Sequence, residues 1–337
     1  MQIKRKIVKI RPYSKGPATV SMRFSIVIRS YNEERHIGRL LDGIMQQSVK
    51  DIEIILVDSG STDGTISIAA NYPVKVIIIK PDEFTFGRAL NKGCSAAKGE
   101  MLVFASSHVY PSYNDWVERL VTPFRDPKIA LVYGRQIGNG ETKYSEHQIF
   151  SKWFPENSIS SQDHPFCNNA NAAILRSMWE KLPYDETLTG LEDIDWAKRT
   201  IESGYQIAYA ADAEVVHVHN ESPQGIYNRY RREAIALKRI FPHEHFNGLD
   251  FIRLLPANVA TDCYHAYREK LLQTNFTSIL MFRLMQFWGT FQGFSQRGPI
   301  TSRLKRTMYY PNGRKHLDHP KIPIRRKRSI NYLKTGN

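Results

Sequence analysis

The sequence predicts an α/β fold: a Rossmann-like, mostly parallel sheet flanked by helices, with a helical extension at the C-terminal end. Three observations carry this. Short β-branched apolar runs recur through the first half, stretches with helical apolar spacing separate them, and polar clusters follow directly on the ends of the runs. Phe24–Arg29 is the first run, and Glu33–Gln47 then shows helical spacing through Ile37, Leu40, Leu41 and Ile44. Ile52–Val57 is long enough for a buried parallel strand and too short for a helix. The polar turn Asp58–Thr65 leads into a third element, Ile66–Ala70, and Val74–Ile79 is another strand. Gly87–Ala97 is helical with Gly99 beyond its end, and Met101–Ala105 is the next strand. Alternation of this kind implies right-handed βαβ crossovers. Ligands of such sheets sit outside the carboxyl ends of the strands, where Ser30–Glu33, Asp58–Thr65 and Ser106–His108 fall.

The second half is less regular. Ile129–Tyr133 is an expected strand, 134–170 is loop-rich, Leu191–Ser203 has helical spacing, and Gln206–Tyr209 and Glu214–Val218 are expected short strands. From Gln224 onward the pattern is helical and aromatic, and there is no internal repeat.

The 337 residues, 42% apolar and 24% charged, suffice for a packed core rather than a disordered polyelectrolyte. No apolar stretch reaches the roughly 18 residues of a spanning helix, and the basic N-terminus lacks the apolar segment of a secretory signal. Cys94, Cys167 and Cys263 are too few for a disulfide framework or a thiolate zinc site, so a cytoplasmic setting is expected. The net charge of +14 invites a nucleic-acid partner, but its distribution argues otherwise. Residues 1–23 hold seven basic residues and no acid, and 297–337 hold twelve basic residues and one acid, Asp318. The body between them is net −4, which argues against a basic groove and predicts no specific nucleic acid; the tails suit an anionic surface. Four segments are therefore expected: a basic N-terminal segment 1–23, a catalytic domain 24–225, a helical region 226–296 and a basic tail 297–337. The catalytic domain divides at 110 into a nucleotide-binding half 24–110 and an acceptor half 111–225.

The chemistry lies at the strand ends. Tyr31 offers a ring to stack on a nucleobase, while Asn32 and Glu33 would equally serve as caps of the next helix. Asp58 closes the second run, where a carboxylate accepts hydrogen bonds from a base imide or a ribose hydroxyl; Asp63 caps the helix behind it or joins the site. Glu192, Asp193 and Asp195 open a helix, where acids complement the dipole but also supply a general base. His217 and His219 alternate on a strand and point the same way.

The segment FSIVIRSYNEERHIGRLLDGIMQQSVKDIEIILVDSGSTDGT, residues 24–65, strongly resembles the opening of the family 2 glycosyltransferases, and the resemblance extends over roughly residues 24 to 240. It implies the GT-A nucleotide-sugar-binding fold and transfer of a sugar from a nucleotide donor with inversion at the anomeric carbon. By that resemblance Tyr31, Glu33 and Asp58 match positions that hold the nucleoside, and Arg88 and Asn91, in FTFGRALNKG, match the helix beside it. The family usually carries Asp-x-Asp after the fourth strand to hold a divalent ion against the donor diphosphate. Here Ser106-Ser107-His108 stands instead, which puts a normal Mg²⁺ or Mn²⁺ site in doubt. Ser107 and His108 are expected in the donor site, His108 either ligating a softer ion or donating to a phosphate without metal. Gly190–Arg199 is similar to the family's Glu-Asp motif, which makes Asp193 the base, Glu192 a ligand of the acceptor hydroxyl and Asp195 structural.

FCNNANAAILRSMW matches the acceptor-side loop, with Asn169 as acceptor ligand and Cys167 as packing. Some relatives complete the metal site with a late histidine, so His108, His217 and His219 are candidate metal ligands. In QGIYNRYRREA, Arg231 is the candidate for the leaving diphosphate; the strict Gln-x-x-Arg-Trp motif of processive relatives is missing, which disfavours a long-chain synthase.

Phe276, Ile279, Leu280, Leu284, Phe287, Trp288 and Phe291 recur at helical spacing, as either a helix–helix core or an interfacial helix. With RRKR at 325–328 they predict a peripheral enzyme at the inner face of a membrane, acting on a saccharide or lipid-linked acceptor in surface-polysaccharide assembly. Two rivals remain: a catalytically silent nucleotide-sugar or polysaccharide binder, prompted by the lost Asp-x-Asp, and a nucleic-acid binder, prompted only by the net charge.

Overall fold

The computed structural model describes residues 23–309. The basic stretches 1–22 and 310–337, RRKR included, lie outside the described residues.

The first half alternates as the apolar runs require: β1 (Phe24–Ser30), α1 (Ile37–Met45), β2 (Ile52–Asp58), α2 (Thr65–Ala69), β3 (Val74–Ile78), α3 (Phe86–Ala96) and β4 (Met101–Ser106). β5 (Val109–Pro111), α4 (Trp116–Val121), β6 (Ile129–Ile137), α5 (Tyr144–Trp153), β7 (Ile159–Gln162), β8 (Asn171–Leu175), α6 (Arg176–Lys181), α7 (Glu192–Glu202) and β9 (Gln206–His217) complete the sheet region. Then come α8 (Pro223–Ile240), α9 (Gly248–Arg268), α10 (Leu272–Phe294) and α11 (Ser302–Tyr309).

The sheet order is β3-β2-β1-β4-β8-β6-β9-β5, with β7 also paired to β9. β1 to β4 are parallel; β8 runs antiparallel to both β4 and β6, and β6 is parallel to β9. The mostly parallel sheet is therefore mixed in its second half. The chain steps outward from β1 through β2 to β3, then returns to place β4 on the other side of β1. That reversal opens a crevice beyond the carboxyl ends of β1 and β4.

Both faces of the sheet are covered. Ile26, Ile28, Met101 and Val103 join Leu40 and Leu41 of α1 and Trp116 of α4 in one core layer. Val27, Leu102 and Phe104 join Leu90 of α3 and Trp196 of α7 in the other. Side chains alternate along each strand between the two layers, which explains why the runs are continuously apolar.

The structure departs from the expected elements in several places and adds β5, α4, β8 and α6 to them. The loop-rich stretch 134–170 contains α5 and β7; α5 buries Ser145 and Glu146 along with Tyr144 and Phe150, so its inner face is not apolar and shows no clear period. Gln206–Tyr209 and Glu214–Val218 are the two ends of one strand, β9, whose ladder with β6 continues past a register shift at Gly134/Gln136. The first part of the expected basic tail contains α11. Met308 is buried and the Tyr309 hydroxyl donates to the Thr189 carbonyl at 3.2 Å, so α11 belongs to the folded body.

α8, α9 and α10 pack as a helical layer beside the sheet. α10 meets α8 at backbone distance: a Cβ on Gly289 would fall 2.5 Å from the Tyr227 carbonyl oxygen, and one on Gly293 would fall 2.6 Å from that of Arg231. The aromatic stripe of α10 divides. Ile279 is buried, while Phe276, Leu280, Leu284 and Trp288 are exposed. α9 and α10 are also joined by a buried bidentate pair, Arg283 Nε to Asp262 Oδ2 at 2.7 Å and Nη2 to Oδ1 at 2.8 Å.

Candidate active site

A cleft of about 550 Å³ lies beyond the carboxyl ends of β1 and β4, closed at the sides by the start of α7, the end of β9 and one face of α8. Its floor is knitted together by the loops after β1 and β2. The Asn32 side chain accepts from Thr62 N–H at 2.7 Å, Glu33 N–H donates to the Thr65 hydroxyl at 2.7 Å, and Glu34 accepts from Gly64 N–H at 2.7 Å. Asn32 takes a left-handed φ of 55°, which asparagine tolerates better than most residues.

Asp193 stands at the first turn of α7 and lines the cleft. Its carboxylate accepts from Asn169 N–H at 3.1 Å and from Ile194 N–H at 2.9 Å. Burial, and then the neighbouring Glu192 carboxylate, push its carboxyl up to about 7 against the pull of those amides and of Arg29. Glu192 also lines the cleft and is paired with Arg29 Nη1 at 2.5 Å. Leu191 precedes them at φ 53°, a left-handed conformation that costs a leucine roughly 1–2 kcal/mol and turns the two acids inward.

The same cleft is lined by arginines. Phe86, at the start of α3, lies between two guanidinium groups, Arg29 at 5.0 Å and Arg232 at 4.5 Å from its ring centroid. Arg229 is held by Glu146 at 2.7 Å and Glu221 at 2.8 Å. Burial opposes the charge on Glu146, yet Arg229 and His219 hold its carboxyl well below the usual carboxylate range.

Three histidine rings cluster in the same cleft. His108 and His217 stack at 5.0 Å, and His217 and His219 meet edge-on at 4.0 Å. Burial above all, and then His219, His108 and Arg229, lower the pKa of His217 well below its ordinary value. At His108 burial opposes the cation, but Glu33 outweighs it and raises the pKa.

The fold thus brings together Glu33, His108, Glu192, Asp193, His217 and His219 from the sequence-predicted set. Other members lie elsewhere. Asp58 is buried and spends its carboxylate on the turn after β2, accepting from Gly60 N–H at 2.9 Å, Ser61 N–H at 2.8 Å and the Ser61 hydroxyl at 2.5 Å. Tyr31 is half-buried outside the cleft lining, and Ser107 is buried beneath it. Arg88 and Asn91 border a separate depression, where both bond to Glu186 and Asn91 also bonds to Trp179 and Tyr184. Asn169 reaches the site through its backbone amide alone, its side chain being buried. Arg231 turns away and donates to Gln296 at 3.1 Å. On a helix residues three apart share a face, so Arg229 and Arg232 face the cleft and Arg231 does not.

Sequence reasoning passed over Arg29, Phe86, Glu146, Gln136 and Glu221. The three-residue spacing of Arg229 and Arg232 was a usable signal; Glu146, inside an unpatterned stretch, gave none.

A doubly covered sheet with an acid-and-arginine cleft at its switch point defines a nucleotide-binding transferase of the GT-A type. The comparisons agree. The model of glycosyl transferase family 2 matches residues 25–182. The O-antigen chain rhamnosyltransferase WbaN of Salmonella anatum is 30% identical over 219 residues, 61% of this chain and 70% of that protein. The O-antigen chain rhamnosyltransferase RfbN of Salmonella typhimurium is 29% identical over 223 residues, 62% of this chain and 70% of that protein. Among solved structures, the mannosyltransferase PcManGT from Pyrobaculum calidifontis, in complex with GDP-Man and Mn²⁺, shares the fold. It has a TM-score of 0.55 and 20% identity, over 80% of this chain and 86% of that one. The chain belongs to family 2 of the glycosyltransferases and is an enzyme of glycosyl transfer.

Proposed function

We propose that this enzyme adds a sugar, in one inverting displacement, to a saccharide or lipid-linked acceptor during assembly of a bacterial surface polysaccharide. The observation that carries this reading is Asp193: a carboxyl whose pKa is pushed up to about 7, fixed by two amides, in a cleft also lined by Arg29, Arg229 and Arg232. Asp193 takes the proton of the acceptor hydroxyl as its oxygen attacks the anomeric carbon. The bond from that carbon to the diphosphate breaks, and its electron pair leaves with the nucleotide. Glu192, oriented by Arg29, binds the acceptor hydroxyl, and Arg229 and Arg232 stabilise the charge gathering on the diphosphate. A divalent ion held by His108, His217 and His219 would share that neutralisation.

The test is a nucleotide-sugar panel with radiolabelled donors and short saccharide or lipid-linked acceptors. Expected is transfer from one donor class, with inverted anomeric configuration in the product. Saturable nucleotide-sugar binding by the wild type without turnover, across all donors and acceptors, would instead establish a silent binder.

Membrane attachment at the inner face is part of the same reading. Among the described residues no helix is long and apolar enough to cross a membrane, and α9 and α10 expose Ile252, Tyr267, Leu280, Leu284 and Trp288. Because α11 is part of the body, the truncation that tests attachment removes 310–337 rather than 297–337. The shortened protein is expected to lose most of its sedimentation with anionic vesicles at low salt; full retention would refute attachment through the tail.

A further inference from the structure

We propose that the three histidines form a nitrogen-only transition-metal site which selects Zn²⁺ or Co²⁺ over Mg²⁺ and binds the ion before any donor arrives. This deepens the sugar-transfer reading and rests on it only for the ion's use, not for its binding.

The argument starts from what each ring does with its Nδ1. His108 Nδ1 is 2.6 Å from Glu33 Oε1, His219 Nδ1 is 2.6 Å from Glu146 Oε1, and His217 Nδ1 is 2.6 Å from Gln136 Oε1. Carboxylates have no proton to give, so Nδ1 carries the hydrogen at His108 and His219, and the Gln136 carbonyl oxygen imposes the same tautomer on His217. In its neutral form each ring is left with its lone pair on Nε2, the form that a metal ion would take up. The ligand atoms these three side chains offer lie within 4.8 Å of one another. His217 Nε2 is buried and has no hydrogen-bond partner among the described residues. An orphaned buried acceptor is costly, and a shared cation is the simplest group that would satisfy this one while using the other two.

A histidine whose second nitrogen donates to a carboxylate or amide oxygen is the arrangement seen in metal-ligating histidines, where the outer partner fixes the ring and raises its basicity. Here it occurs three times, from three separate elements: the loop after β1, β6 and α5. The donor set also decides the ion. Mg²⁺ demands oxygen ligands and gives up its water reluctantly, whereas imidazole suits borderline transition metals. Replacing the family's Asp-x-Asp by Ser106-Ser107-His108 therefore exchanges one metal chemistry for another. Glu33, Gln136 and Glu146 become positioning residues of that site.

The experiment uses the full chain, stripped with EDTA, dialysed into metal-free buffer and kept free of nucleotide sugar. Titration with Co²⁺ alone is expected to saturate at one equivalent with the visible absorption of a nitrogen-ligated ion. Micromolar Zn²⁺ should displace it, and millimolar Mg²⁺ should not. His108→Ala and His219→Ala should each weaken binding by more than 10-fold, and Glu33→Ala by about 10–100-fold. His108 is partly exposed, so its variant is expected to fold; unchanged near-ultraviolet circular dichroism checks this. No saturable Co²⁺ binding by the wild type overturns the proposal. So does binding indifferent to both histidine substitutions, or displacement by Mg²⁺ as readily as by Zn²⁺. Metal binding without sugar transfer would uphold the site and sink the transfer reading; transfer by a protein that binds no metal would do the reverse.

Discussion

Asp193→Asn is expected to lower the transfer rate by about 10²–10⁴-fold, the usual worth of a general base, while leaving donor affinity within a few-fold. The amide keeps the size of the side chain and an oxygen that accepts from Asn169 or Ile194 N–H, but it takes no proton. In the wild type the same group sets the acid limb of the pH–rate profile. Asp193 must be ionised to act and its carboxyl is pushed up to about 7, so the rate should rise with pH through about 7 and level above it. The stability effect has the opposite sign. A buried carboxyl whose pKa is raised by folding contributes most below its unfolded value, near 4, and that contribution is lost as pH climbs through about 7. Asparagine mimics the neutral form at every pH. The variant should therefore melt higher than the wild type at pH 8 and close to it at pH 4. Steady-state kinetics and thermal melts at both pH values check the pair; full activity in the variant would remove Asp193 from the role of base.

Asp262→Ala should be among the most destabilising single changes outside the cleft, costing about 3–5 kcal/mol. The substitution strands the Arg283 guanidinium between α9 and α10, both partners being almost fully buried and joined by two parallel hydrogen bonds. Gln286 at 2.8 Å satisfies one remaining nitrogen but supplies no charge. The double change Asp262→Leu with Arg283→Met removes both charges and should recover most of the loss, because the desolvation cost disappears along with the pair. Denaturant melts of the two singles and the double form the cycle that measures this. Turnover per folded molecule should stay near the wild-type value throughout. A single-mutant cost below about 1 kcal/mol would mean the pair is wetter than its burial indicates.

How much of this was legible in the sequence depended on which force shaped each part. The first half was open to reading because strands buried on both faces must be continuously apolar and the crossover helices must carry a stripe: Ile37, Leu40, Leu41 and Ile44 all proved buried. α5 escaped because its inner face holds a charged network around Glu146 rather than a hydrophobic one, and β8 because Asn171–Leu175 is short and alanine-rich. At the site, Asp193, Glu192 and the histidines were visible as clustered chemistry beside strand and helix ends. Asp58 was visible too, yet its carboxylate closes a turn, a use that composition does not distinguish from holding a ligand. Arg231 was chosen from three arginines without the helical phase that separates them.

The close seating of α10 on α8 bears on whether this enzyme is built from interchangeable parts. α8 presents Arg229 and Arg232 to the cleft from one side and receives Gly289 and Gly293 on the other, against the Tyr227 and Arg231 carbonyls and the Ala234 methyl, with little room to absorb a change in spacing. A graft of another relative's C-terminal helices, joined at residue 225, would exchange the arginine wall together with the appendage. Recombination at that seam is therefore expected to yield folded chimeras only where both helices travel as a unit, and active ones only where the incoming α8 brings its own pair of cations in the same phase.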